Sequence, residues 1–206
     1  LRAVKNFPHA GERINPHFIK AYFQVKLAAL ETNFKVGLID ETKYEVIVKA
    51  IESLISETDK CIEENADTIF SKIIVDPYQG GAGTSLNMNI NEVIANTALK
   101  LSGKNFGDYD FIHPIDDINL SQSTNDTYVT SLKIASIVLL RELTSSVSEL
   151  QRELQKKENE FSGVIKLART QMQDAVPITL GQEFGAYAQA IARDRWRLYN
   201  GEERLR

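Results

Sequence analysis

Tyr128-Val-Thr-Ser-Leu132-Lys-Ile-Ala-Ser-Ile-Val-Leu-Leu-Arg-Glu-Leu143-Thr-Ser-Ser-Val-Ser-Glu-Leu150-Gln-Arg-Glu-Leu154 contains neither Gly nor Pro. Its apolar series Tyr128, Leu132, Ala135, Leu139, Leu143, Val147, Leu150 and Leu154 advances by threes and fours, the step of one face of an α-helix. Such a helix is several turns longer than the globular average and is the kind found in bundles. It should fray near Phe161-Ser-Gly163. Ala168 to Pro177 reads as an irregular link. Thr179, with Gln182 three residues on, then forms a capping box opening a helix through Phe184, Ala188 and Ile191 toward Gly201. Two long antiparallel helices are expected, and with them a mainly α fold.

Upstream the helical period persists at shorter range. Phe18, Ile19, Tyr22, Phe23, Val25, Leu27 and Leu30 cover most of a cylinder, which predicts a helix buried on more than one side, with Pro16 in its first turn. Beyond Gly37, Asp40 is an N-cap for a second helix carrying Tyr44, Ile47, Val48, Ile51, Leu54 and Ile55, with Lys43, Lys49 and Glu52 toward water. Lys72-Ile-Ile-Val75 reads as a short β-like run. A turn-rich loop follows, then a third helix with Ile90, Val93, Ile94, Ala98 and Leu101 on one face and Gly103 as its stop. Gly107 to Asn125 is irregular. The expected division is a small mixed helical domain over 1–125 and the first long helices of a bundle over 126–206, without internal repeats.

The 206 residues are 43% hydrophobic and 25% charged, the proportions of a chain that folds around its own core. A net charge of −4 with Lys and Arg scattered singly lacks the footprint of a nucleic-acid partner. The most apolar stretch, Ile134 to Leu140, is interrupted by Ser136 and is too short to span a membrane. Cys61 is the single cysteine, and His9, His17 and His113 are far apart, so neither a disulfide within the chain nor a zinc spacing is present. A reducing, cytoplasmic setting is expected. Without an initiator Met or a signal-peptide core at Leu1, the chain is expected to begin inside a longer gene product.

Three polar clusters interrupt the helices: Gly80-Gly-Ala-Gly-Thr84-Ser85, Ser121-Gln-Ser123-Thr124-Asn125-Asp126 and Arg169-Thr170-Gln171-Met-Gln173-Asp174. Each is expected just before or between helices. A helix N-terminus leaves amide donors unpaired and carries about half a positive charge, so hydroxyl-rich residues there can hold a carboxylate or phosphate. Taken singly, each cluster is equally an ordinary cap or turn. The first lacks the Lys of a P-loop and the glycine spacing of a dinucleotide fold. His113, before Pro114, reads as a turn residue, and Asp116 and Asp117 as solvated loop carboxylates. Cys61 has acidic neighbours in Glu63 and Glu64, which raise a thiol pKa, and takes no role.

Taken together the clusters resemble successive motifs of the aspartase/fumarase superfamily. Gly80-Gly-Ala-Gly-Thr-Ser-Leu-Asn-Met-Asn-Ile-Asn-Glu-Val-Ile-Ala-Asn96, His113-Pro-Ile-Asp-Asp-Ile-Asn-Leu-Ser-Gln-Ser-Thr-Asn-Asp126 and Arg169-Thr-Gln-Met-Gln-Asp-Ala-Val-Pro-Ile-Thr-Leu-Gly-Gln-Glu-Phe184 carry the likeness, which extends from Leu1 to about Tyr187. Within the superfamily the wording is most similar to the aspartases. Class II fumarases usually have Gln after the loop Thr, Ser at the position of Thr124 and His at that of Gln171.

The resemblance implies elimination of ammonia from L-aspartate to give fumarate, through a carbanion held as an aci-carboxylate and without a cofactor or metal. Thr84, Ser123 and Thr124 match positions that contact the carboxylate on which charge develops. Asn125 matches one beside the amino group, and Thr170 and Gln171 match positions on the other carboxylate. His113 and Asp116 resemble a secondary anion site of fumarases, with Ile115 where Asn is often found. The general base of such enzymes is a serine on a Gly-Ser-Ser loop, which is expected beyond Arg206, so the chain corresponds to the N-terminal portion of a homotetrameric enzyme. Two alternatives stand beside this: a class II fumarase or other superfamily lyase, and, for the 206-residue fragment by itself, an inactive oligomerising helical scaffold.

Overall fold

The computed structural model describes residues 4–5, 10–78 and 82–206. The N-terminal wording at 1–3 and 6–9, His9 among it, and Gly80 and Gly81 of the first cluster lie outside them. Element order is α1 (Pro16–Lys35), α2 (Glu41–Glu64), a 3₁₀ turn (Thr68–Ser71), α3 (Thr84–Leu101), α4 (Thr124–Glu160), β1 (Ile165–Thr170), β2 (Gln173–Thr179) and α5 (Leu180–Leu205). The fold is mainly α, as expected. Contacts group the chain into two compact units, Leu1–Ser136 and Ile137–Arg206, so the division falls within α4.

In the first unit the local signals act where they are written. Asn15 accepts from the His17 amide at 2.9 Å to open α1, with Pro16 in its first turn. Asp40 accepts from the Lys43 amide at 3.0 Å to open α2. Gly103, at φ 71°, lets the Lys104 amide turn back onto the Leu99 carbonyl and closes α3. The core is built from Ile19, Tyr22 and Phe23 of α1, Ile47, Ile51 and Leu54 of α2, and Leu86, Ile90, Ile94 and Leu99 of α3. Each such side chain contributes roughly 1.5–3 kcal/mol by leaving water.

Three expectations in this unit are corrected. Lys72–Val75 forms no strand: the amide of Ile74 donates to Asn89 Oδ1 at 2.9 Å, and Asn89 Nδ2 donates to the Lys72 carbonyl at 3.0 Å. One side-chain amide thus supplies the pairing that a neighbouring strand would have given. Lys43 is not simply a solvent-facing residue, because its Nζ lies 2.8 Å from Oδ1 of Asp117, whose carboxylate is largely enclosed and also accepts from the His113 amide at 2.7 Å. Asp117 is therefore a tether between α2 and the irregular segment. Leu101 lies on the exposed side of α3's end.

In the second unit, the C-terminal part of α4 and α5 run antiparallel. Arg141 pairs with Glu202 at 2.9 Å, Arg195 donates to Gln151 at 2.8 Å, and the Phe161 and Phe184 rings meet at 5.7 Å. Thr179 and Gln182 form the expected capping box, with bonds of 3.1 and 2.9 Å. Gly181 sits so close to the end of α4 that an added Cβ would overlap the Glu158 carbonyl and the Ser162 backbone. The expected irregular link is instead an antiparallel hairpin, with Thr170 opposite Gln173 and a two-residue turn at Gln171-Met172. Both turn residues have positive φ, 50° and 61°. That is the geometry of a type I′ turn, usually announced by Asn-Gly and here written without either.

Candidate functional site

The second cluster opens α4. The Ser123 carbonyl accepts the first helical bond, from Thr127 at 3.0 Å, and its Oγ accepts from the Asn125 amide at 3.2 Å. Ser123 is thus the cap and keeps its hydroxyl proton to donate. Thr124 and Asn125 follow in the first turn, and among the described residues their side chains have no hydrogen-bond partner. Thr84 is the first residue of α3, after Gly83 at φ 81°, and no side chain caps that helix start. Its hydroxyl is likewise free of partners among the described residues.

The two helix starts are joined one turn in. Asn87 of α3 and Thr127 of α4 meet at the hydroxyl of Tyr22, which donates to Asn87 Oδ1 at 3.2 Å and lies 3.1 Å from Thr127 Oγ1. Thr127 Oγ1 also reaches Asn87 Oδ1 at 3.4 Å. The Tyr128 ring covers Gly83 so closely that any Cβ there would overlap it, and stands edge-on to Phe18 at 5.1 Å. Glycine is required at 83 twice over, by its left-handed φ and by the ring above it. Thr84 and the Ser123–Asn125 run are thereby held in one locality, an uncapped start of α3 and a Ser123-capped start of α4 presenting hydroxyl, amide and backbone donors. That arrangement suits a carboxylate.

Below them lies a buried polar layer the sequence reading missed. Asn119 Oδ1 accepts from Lys26 Nζ at 3.0 Å, from Asn87 Nδ2 at 3.0 Å and from Asn91 Nδ2 at 3.1 Å. Lys26 is 1% exposed and has no carboxylate partner among the described residues. Burial alone draws its pKa down to about 7, and burial also pushes the Tyr22 hydroxyl up to about 12. The sequence did carry a signal. Asn87, Asn89 and Asn91, poor helix formers, alternate along the apolar middle of α3, and Lys26 interrupts the apolar cylinder of α1.

The remaining candidates fall elsewhere. Thr170 ends β1 and Gln171 begins the hairpin turn, both exposed in the second unit, so the third cluster sits on a hairpin and not at a helix terminus. His113 behaves as a turn residue, its Nδ1 accepting from the amides of Ile115 at 3.3 Å and Asp116 at 3.1 Å. Nδ1 also lies 3.1 Å from a carboxylate oxygen of Asp116. Cys61 is buried, and burial first, then the charge of Asp67, raise its pKa. A cavity of about 680 Å³ lined by Lys72, Asn89, Glu92, Asn96 and Phe106 contains none of these candidates. Among the described residues no helix is long and apolar enough to cross a membrane.

A lyase family model matches residues 10–206. The chain is 49% identical over its whole length to an aspartate ammonia-lyase from a Bacillus species, of which it covers 42%. It is 42% identical over its whole length to an aspartate ammonia-lyase of Corynebacterium glutamicum, of which it covers 38%. Among solved structures, a fumarate lyase:delta crystallin from Brucella melitensis superposes with a TM-score of 0.90 at 42% identity, over 99% of this chain and 46% of that one. A class II fumarase from Schistosoma mansoni gives 0.81 at 29% identity, over 94% of this chain and 39% of that one. The chain thus spans about two-fifths of the length of the curated relatives it matches.

Proposed function

Since the chain belongs to the lyase family over residues 10–206, we propose that the protein it represents eliminates ammonia from L-aspartate to give fumarate. The observation that carries this reading is the junction of two helix starts, Thr84 on α3 and Ser123-Thr124-Asn125 on α4, joined through Tyr22, Asn87 and Thr127. Removal of a Cβ proton beside an ionised carboxylate concentrates charge on that carboxylate, and the barrier falls where donors already point at the developing charge. Thr84, Ser123 and Thr124 supply those donors. The Asn125 carbonyl oxygen accepts from the substrate ammonium, while Thr170 and Gln171 bind the second carboxylate in the assembled enzyme.

The proton passes to a base, the C–N bond breaks with its electron pair leaving on nitrogen, and the carbanion pair becomes the double bond of fumarate. We assign the base to none of the 206 residues, and the assembled enzyme to a homotetramer. The test follows fumarate absorbance with the full-length protein on L-aspartate and on L-malate. Turnover of L-aspartate is expected. Faster turnover of L-malate moves the assignment to a fumarase, and turnover of neither moves it to another lyase of the superfamily.

A further inference from the structure

Helix α1 reaches the proposed site from behind with two buried polar side chains one turn apart. Tyr22 ties α3 to α4 at Asn87 and Thr127, and Lys26 anchors Asn119, whose Oδ1 also holds the Nδ2 of Asn87. Asn119 in turn donates to the Gln122 carbonyl at 3.0 Å, one residue before the Ser123 cap. A single chain of hydrogen bonds therefore runs from α1 to the first turn of α3 and to Gln122, the residue before the one that opens α4. Tyr22, Thr127, Lys26 and Asn87 are buried, and Asn119 and Gln122 are half-buried.

Burying an ammonium without a carboxylate beside it is costly, and the core would gain from an apolar side chain of the same length at position 26. Packing does not account for Lys26. Geometry does, because donors that stabilise developing charge must be held within about 0.5 Å of their working positions by the residues behind them. We propose that Tyr22 and Lys26 are positioning residues, a brace on α1 that sets the separation of Thr84 from Ser123-Thr124-Asn125. Neither reaches the substrate. The proposal rests on the ammonia-lyase reading for its substrate and on the hydrogen-bond chain for its geometry.

The test uses the full-length protein with Lys26→Met, which keeps the length and removes the donor, and Tyr22→Phe, which removes one hydroxyl. For Lys26→Met, kcat is expected to fall by about tenfold or more with KM within about threefold, as befits donors displaced by a fraction of an ångström. For Tyr22→Phe the expected fall is about fivefold with near-normal thermal stability, since Thr127 still reaches Asn87. Crystal structures of both variants should show Thr84 displaced relative to Thr124. Folded variants with wild-type kcat overturn the brace, and so does a lowered kcat with Thr84 and Thr124 unshifted. If Lys26→Met does not fold, Tyr22→Phe decides alone. Rates are taken on whichever of L-aspartate and L-malate the wild type turns over, so a wild type active only on L-malate retires the ammonia-lyase reading and leaves the brace to stand or fall. A wild type inert on both leaves the crystal structures to decide.

Discussion

A lysine ammonium that titrates near neutrality makes stability depend on pH in a direction opposite to that of a lysine held in an ion pair. In the unfolded chain Lys26 holds its proton to about pH 10.5; folded, it releases it near 7. Below pH 7 both states are protonated and the cost of burying the charge is fully present. Between about 7 and 10 the unfolded state binds the extra proton, so stability rises with pH, by up to about 1.4 kcal/mol per unit. Denaturant titrations across that window should show this slope, and Lys26→Met should lose one proton's worth of it. A second residue separates two roles that its neighbours share. Ser123 does the capping at α4 while the Thr124 side chain has no hydrogen-bond partner among the described residues. Thr124→Ala should therefore leave the melting temperature within a few degrees and lower kcat and kcat/KM together, by about 10²–10³, the range for one lost donor to developing charge. An altered melting temperature with unchanged kcat would make Thr124 a structural residue.

At the scale of elements, the turn at Gln171-Met172 carries two side chains in left-handed backbone, and Met172 is fully exposed. Met172→Gly removes one strained position without removing a contact, and should raise stability by about 1 kcal/mol in a denaturant titration. Gly83→Ala should do the reverse. It meets both an unfavourable φ and the Tyr128 ring, so a loss above about 2 kcal/mol is expected, partly restored in the double variant with Tyr128→Ala because only the overlap is relieved. These two turns also explain what could be read from the sequence. Asp40, Thr179 with Gln182, and Gly103 were legible because caps act on the backbone within three or four residues. The helix at Thr124–Glu160 was legible because its period survives in the sequence over many turns. The hairpin was not, since no Asn or Gly marks its positive-φ turn. Lys72–Val75 misled because β-branched residues resemble a strand, whereas the pairing there comes from Asn89, a helix residue remote in sequence. The donors Thr84 and Ser123-Thr124-Asn125 stood in recognisable motifs, but Lys26 and Asn119 meet only through tertiary structure, and no local pattern joins positions so far apart.

On the scale of the whole molecule, several leucines of the long α4 stripe remain exposed in this chain, although Ala135 of the same stripe is buried. Leu132, Leu143 and Leu150 are each nearly half exposed, and Trp196 and Tyr199 on α5 are more so. Apolar surface on that scale marks an association face, so the 206-residue chain should self-associate in a concentration-dependent manner measurable by light scattering. It should also fail to turn over L-aspartate, having no residue assigned as the base. The unit division inside α4 has a consequence for how the protein is made. Thr84, Ser123-Thr124-Asn125 and the proposed brace residues Tyr22, Lys26, Asn119 and Thr127 all lie before Ile137. The core of that unit closes at Ala135. On a ribosome adding roughly 5–20 residues per second, this half of the proposed site can assemble while the rest of α4, the hairpin and α5 are still being synthesised. The proposed carboxylate-binding geometry would then be in place before the subunits of the proposed tetramer could meet.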